Sequence, residues 1–204
     1  MADPTVDALA LTSLIKVKRH LEIATATTTW DNMLIDFING VSASIDAYCN
    51  RKFVKPASAS YTEYFDGEGK SQVAVKNRPI TEITSLHDDP DRNYESDTLI
   101  DSTLYTYYPN EGIIKLVDEE GIVNNPGIFC NSQRNVKVVY KAGYTTIPYD
   151  IEQAVNKWVA KLYGQRGKDG VASERLGAYA VSYKEQDMPE DVKRMLDPYV
   201  NINV

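Results

Sequence analysis

Hydrophobic positions recur at helical spacing near both ends of the chain and alternate at strand spacing between them. Leu14, Ile15, Val17 and Leu21 mark a short helix within Leu11 to Leu21, with Thr12 or Ser13 as N-cap. The run Ala24-Thr25-Ala26-Thr27-Thr28-Thr29 has little to bury and low helix propensity, so it reads as a loop. A longer helix begins near Trp30 with the stripe Met33/Leu34, Phe37/Ile38, Val41, Ile45 and Tyr48. Asp31 suits the positive end of its dipole, and Asn50, Arg51 and Lys52 suit the other end. Pro148 opens a third helix, carrying Ile151, Ala154, Val155, Trp158, Val159, Leu162 and Tyr163 and running to about Arg166. Pro189 opens the last, with Val192, Met195, Leu196 and Tyr199.

Beyond Pro56 the period falls to two. Tyr61 to Phe65 and Gln72 to Lys76 flank Asp66-Gly67-Glu68-Gly69, which predicts a hairpin because glycine accepts positive φ. Further strands are expected at Ile80 to His87, Thr103 to Tyr108, Gly112 to Val117 and Val136 to Tyr140, with Asn124-Asn125-Pro126-Gly127 as a break. Gly164 to Gly177 places four glycines among charged residues and reads as a mobile segment. Tyr179 to Tyr183 alternates like a short strand, and so does the tail Val200 to Val204, which has no evident internal partner. The expected fold is α+β: a small bundle of about four helices with an inserted antiparallel β-domain. The expected divisions are 1–52 for the N-terminal helices, 53–147 for the insert and 148–204 for the C-terminal helices and a terminal arm.

Composition narrows the chemistry. The 204 residues are 43% apolar and 25% charged, enough for one domain or two small ones. The net charge is −7, so no global basic field advertises nucleic-acid binding. Residues 53–150 carry 9 basic and 15 acidic groups and hold nearly all the excess, the flanking regions being close to neutral. Two histidines and two cysteines are too few for a Cys/His zinc site or a disulfide framework. No signal peptide or apolar span opens the chain, so both cysteines are expected reduced in a cytosolic setting.

Individual polar clusters read as structure first. His20 and His87 lie on different elements, and no G-x-S-x-G elbow offers a nucleophile. Asp88-Asp89-Pro90-Asp91 with Asp97 and Asp101 lacks the glycine and closing glutamate of a calcium loop and fits a solvated turn. Glu63, Asp66 and Glu68 fit hairpin-tip charges as well as a glycosidase pair. Phosphate-binding glycine loops are absent. Lys16, Lys18, Arg19, Arg51 and Lys52 form a modest basic group, with Arg166 and Lys168 another. Tyrosine is over-represented at 14 residues, against 4 Phe and 2 Trp. Most of these lie in the strand-rich insert, which suits aromatic β-propensity; Tyr163, Tyr179, Tyr183 and Tyr199 lie outside it and suit assembly contacts.

Four patterns in order carry a family resemblance. They are Leu11-Thr12-Ser13-Leu14 leading to Val17-Lys18 and Leu21; the helix end Ile45-Asp46-Ala47-Tyr48-Cys49-Asn50-Arg51-Lys52-Phe53; Val136-Lys137-Val138-Val139-Tyr140-Lys141-Ala142-Gly143-Tyr144 followed by Ile147-Pro148-Tyr149-Asp150-Ile151; and Tyr163-Gly164-Gln165-Arg166 with Ser173-Glu174-Arg175-Leu176-Gly177 and Val181-Ser182-Tyr183. Over about residues 11–200 the chain resembles the head-to-tail connector (adaptor) proteins of tailed bacteriophages. It departs from them in its long β-insert, found only in larger members, and in Cys49, where threonine is usual.

The resemblance implies a structural virion protein of the neck, not an enzyme, with no cofactor and no membrane partner. It implies a homo-oligomeric ring, commonly of twelve, below the portal protein and above a stopper or tail-completion protein, passing double-stranded DNA without reading its sequence. On that expectation Val192, Leu196, Tyr199, Val200, Ile202 and Val204 form a portal-binding arm. Tyr163, Arg166, Tyr179 and Tyr183 form a subunit interface, and Lys16, Lys18 and Arg19 face the channel. The runner-up is a carbohydrate-binding or hydrolytic β-sandwich flanked by helices, resting on Tyr105, Tyr107, Tyr108 and the acidic loops, and a third reading is a neighbouring head-completion or tail-completion protein of the same virion.

Overall fold

The computed structural model describes residues 4–117, 127–166, 173–176, 179–182 and 188–201. Its contacts divide the chain into a helical unit, 1–50 with 147–204, and a β-unit, 51–146.

The helical unit contains α1 (Leu14–His20), α2 (Asp31–Tyr48), α3 (Tyr149–Gln165) and α4 (Glu190–Leu196). Helix α3 packs against each of the other three. The core takes Leu34, Ile38, Val41 and Ile45 from α2 and Ile151, Ala154, Val155, Trp158 and Val159 from α3. Val17 seals it from α1, and Val192 and Leu196 from α4. The stripe of α2 is rotated from the expected one: Ile35 and Ser42 are buried, while Met33 and Phe37 are only half-buried. On α1 the rotation is larger, leaving Ile15 56% exposed. The C-terminal segment folds back onto this unit through a short 3-10 turn, Asp197–Tyr199. Tyr48 Oη donates to Asp197 Oδ1 (2.9 Å), Tyr199 Oη donates to Asp150 Oδ2 (2.6 Å), and Asn201 N–H donates to the Cys49 carbonyl (2.9 Å). The alternating tail therefore does have an internal partner as far as Asn201; 202–204 lie outside the described residues.

Part of the segment expected to be mobile is regular. Gly164 belongs to α3, and Ser173–Leu176 forms β7, which pairs antiparallel with β8 (Tyr179–Ser182). Residues 167–172 and 177 lie outside the described residues.

The β-unit holds two three-stranded antiparallel sheets. One has the order β1 (Tyr61–Phe65), β6 (Val136–Ala142), β3 (Ile80–Asp88); the other β2 (Gln72–Ala74), β5 (Ile113–Leu116), β4 (Tyr105–Tyr108). Strand β6 alternates without a fault, burying Val136, Val138, Tyr140 and Ala142, and so serves as a central strand. The expected hairpin of Tyr61–Phe65 with Gln72–Lys76 does not form: β1 pairs with β6, and β2 with β5. Turn chemistry permits a hairpin without requiring one, and β6 offers β1 a longer inward apolar face. Gly67 serves a different purpose. A Cβ there would lie 2.1 Å from the Cys130 carbonyl, and its N–H reaches Asn135 Oδ1 (2.8 Å) and the Ser132 carbonyl (3.1 Å). Gly143, at φ +113°, lets the chain after β6 lie against Val54 and Lys55, where a Cβ would meet the Lys55 nitrogen at 2.6 Å.

The α+β expectation with about four helices holds among the described residues.

Candidate assembly surfaces

Arg166 ends α3, and its side chain turns back over its own helix. Its guanidinium carbon lies 3.8 Å from the Tyr163 ring centroid and 5.1 Å from that of Trp30. The two rings meet edge to face, 6.4 Å apart at 81°. Arg166 Nη1 also donates to the Tyr163 carbonyl (2.7 Å), which at the helix end accepts the Arg166 backbone N–H as well (3.4 Å). The structure thus unites Tyr163 and Arg166 from the expected interface set and adds Trp30, which is 40% exposed. In the sequence Trp30 marks only a helix start; the signal for more is a tryptophan that closes a polar, threonine-rich run. Of the other two interface residues, Tyr179 lies in β8 and Tyr183 lies outside the described residues.

The basic set separates. Lys18 is buried, donates to the carbonyls of Thr25 (3.2 Å) and Thr27 (2.7 Å), and pairs with Asp31. It fastens the polar loop to the start of α2, so the expectation that it faces a channel is corrected: a cation held by three protein oxygens inside the unit has no surface to offer. Lys16 pairs with Glu152 of α3 but keeps about half its side chain exposed, at 47%. Arg19 is exposed.

The expected arm separates too. Val192 and Leu196 are fully buried at 0% exposure, so as apolar anchors for a partner they are corrected: they hold α4 in the helical core. Tyr199 and Val200 are half-buried. Ile202 and Val204 lie outside the described residues.

In the β-unit, the Tyr64 and Tyr94 rings lie 5.4 Å apart. Arg134 sits 4.9 Å over Tyr64 and Lys137 Nζ lies 5.1 Å from Tyr94, giving a cation–ring–ring–cation row on an otherwise acidic unit. The loop beneath is organised by Asp89, whose carboxylate accepts N–H groups from Asp91 (2.8 Å), Asn93 (2.7 Å) and Tyr94 (2.6 Å). The Tyr94 amide above all holds this carboxyl below its usual range, while burial pushes His87 down. Asp89 is therefore a turn-former turned inward. Among the described residues no three His, Cys, Asp or Glu side chains converge on a cation position.

The sites a carbohydrate reading needs are occupied by structure. Glu63 accepts from the Tyr140 hydroxyl and the Lys76 amide, Asp66 accepts from the Arg134 amide, and Glu68 pairs with Lys70. Tyr105 and Tyr107 pack against the core and Tyr108, adjacent in the strand, points to the other face. No common aromatic platform results. Among the described residues no helix is long and apolar enough to cross a membrane.

A family model described as head completion protein matches residues 10–202. In fold the chain is similar to a chain in the neck of an empty GTA particle computed with C6 symmetry: 15% identity, TM-score 0.60, covering 100% of this chain and 94% of that one. A chain in the neck of the native GTA particle computed with C12 symmetry gives 15% identity, TM-score 0.58 and coverage of 98% and 93%. One in the virion of the native gene transfer agent particle gives 16%, 0.57, 100% and 94%. No curated protein matches the chain.

Proposed function

The chain belongs to the head completion protein family, and from that premise we propose that it is a head-to-tail adaptor of a tailed virion, a structural neck protein that closes into a ring. The family is not an enzyme class. The observation that carries the reading is the extent of the match: residues 10–202 include both units and the C-terminal segment, so the β-insert belongs to the matching architecture. That its structural neighbours come from necks computed with sixfold and twelvefold symmetry supports a ring of twelve. Such a ring is a heterologous contact repeated by rotation until it closes, which needs two different faces on each copy.

In this ring the helical unit is the body. The Trp30–Arg166–Tyr163 cluster offers one subunit face, since it presents aromatic area and a desolvatable guanidinium at low conformational cost. The portal protein is met by the end of the chain, Tyr199, Val200, Ile202 and Val204, with Val192 and Leu196 fixing its root from within the core. Arg19 and the exposed part of Lys16 face the DNA channel, while the acidic β-unit meets the stopper or tail-completion protein and repels passing DNA.

Cryo-electron microscopy of particles carrying a tagged copy tests the assignment: density for the tag at the neck, in register with a closed ring, is expected, and a tag on the capsid shell or tail fibre overturns it. The arm is tested by removing 202–204, which leaves the Asn201–Cys49 and Tyr199–Asp150 bonds in place. Loss of portal binding with unchanged thermal unfolding is expected; undiminished portal binding excludes the arm.

A further inference from the structure

The ribbon β7–β8 is a member of neither three-stranded sheet. Among the described residues its strands pair with each other, Ser173 with Ser182 through Leu176 with Tyr179, and belong to no larger sheet. Two strands of four residues each make a ribbon that is marginal in water by itself. Strand β7 carries Glu174 and Arg175, but β8, Tyr179-Ala180-Val181-Ser182, has no charge and no proline. Its outer edge lacks the usual guards against pairing with another chain. The ribbon is also tethered from a fixed point: six residues separate Ser173 from Arg166, which the Trp30 and Tyr163 rings clasp at the end of α3.

We propose that the partner is the same ribbon of the adjacent copy, β8 of one chain pairing with β7 of the next around the ring. This rests on the ring of the preceding section. The direction of the strands selects it. Rotation about a ring axis leaves the neighbour's β7 nearly parallel to the first copy's β7, hence antiparallel to its β8, the relation that gives straight and short ladder bonds. Every copy then uses both open edges, one as donor face and one as acceptor face, as a heterologous contact requires. When the ring closes no edge is left, the condition under which an antiparallel sheet needs no further protection. Pairing about a two-fold, β8 with β8, would stop after two copies and leave both β7 edges bare.

The test uses particles assembled from a mixture of two full-length chains, one Ser173→Cys and the other Ser182→Cys, each also Cys130→Ser to remove the exposed native thiol. A short bismaleimide is added, because it tolerates a shift of register. Cross-links between the two kinds of chain are expected, with few within either kind. Cross-links within one kind mean two-fold pairing and overturn the proposal. No cross-link in particles whose neck ring is present by microscopy also overturns it, while leaving the ring standing; absence of a ring removes both. As a second readout, amides of 173–182 should exchange more than about tenfold more slowly in the assembled neck than in the free chain. Equal exchange in the two states counts against the pairing.

Discussion

The Arg166 guanidinium lies 3.8 Å from the centroid of the Tyr163 ring, three residues back on the same helix. Stacking against that ring and Trp30 while capping a helix carbonyl makes one exposed side chain serve two purposes. An exposed cation–π contact contributes about 0.5–1 kcal/mol. Arg166→Ala should lower stability by about that amount, read as a shift in urea midpoint. Arg166→Lys keeps the charge but loses the flat stack, and should recover less than half of the loss. If the cluster is a subunit face, both variants weaken ring assembly by more than they weaken the fold.

Lys18 and Lys16 sit two residues apart on α1 and should differ in what their removal costs. Lys18 is 3% exposed and its loss strands Asp31 and two carbonyls, so Lys18→Ala should cost about 3 kcal/mol in chemical unfolding. Lys16 forms a half-exposed pair, and Lys16→Ala should cost about 0–1 kcal/mol. Similar costs for the two would show that Lys18 is not a structural cation.

Glycines 143 and 164 give a contrast of sign. Gly143→Ala forces a side chain into positive φ and onto the Lys55 backbone, and should destabilise the β-unit by about 2–3 kcal/mol. Gly164 lies within α3 with nothing inside 4 Å of a Cβ, so Gly164→Ala should stabilise by about 0.5–1 kcal/mol. Thermal unfolding of each variant reads both directions.

The loop under Tyr94 should loosen in acid in two steps. Burial holds the His87 imidazole below its usual 6.5, so the unfolded chain takes up a proton first and stability falls as the pH drops below about 6.5. Hydrogen bonds from the loop amides hold Asp89 below 3.8; its contribution is present above that value and fades as the pH falls through the lower folded one. Exchange of the Tyr94 amide followed from pH 7 to well below 3.8 should therefore accelerate in two steps relative to the intrinsic rate, and His87→Gln should remove the first step. A first step that persists in this variant would assign it to another group.

Tyr140 joins the β-unit's core to its polar rim. Its hydroxyl donates to Glu63 and accepts the Asn77 amide (3.0 Å), and burial pushes its ionisation upward, so it is a neutral phenol throughout the ordinary range. Tyr140→Phe leaves the Asn77 N–H without that acceptor and should cost about 1–3 kcal/mol at constant denaturant slope.

Local pattern was enough for whatever depends on neighbours in sequence. The 3.6 and 2.0 periods placed the helices and most strands, because burying one face imposes them on a continuous segment. The sequence offers Tyr163 and Arg166 only as interface residues implied by the family resemblance; that they stack three apart on one helix is a finding of the structure. Pairing of distant segments was not legible. Nothing in Asp66-Gly67-Glu68-Gly69 says that β1 will join β6, some seventy residues on. The burial of Lys18 depends on where a loop's carbonyls point, and the inward turn of Val192 and Leu196 on the position of α3. Trp30 joined the cluster because folding brings the start of α2 to the end of α3. Sequence alone therefore determined the element types, their order and the family; tertiary structure decided which charges are structural, which apolar residues are already spent in the core, and which strand edges remain open. The division is physical: periodicity is a local property of the backbone, whereas burial and pairing are settled only when segments far apart in the chain compete for the same surface.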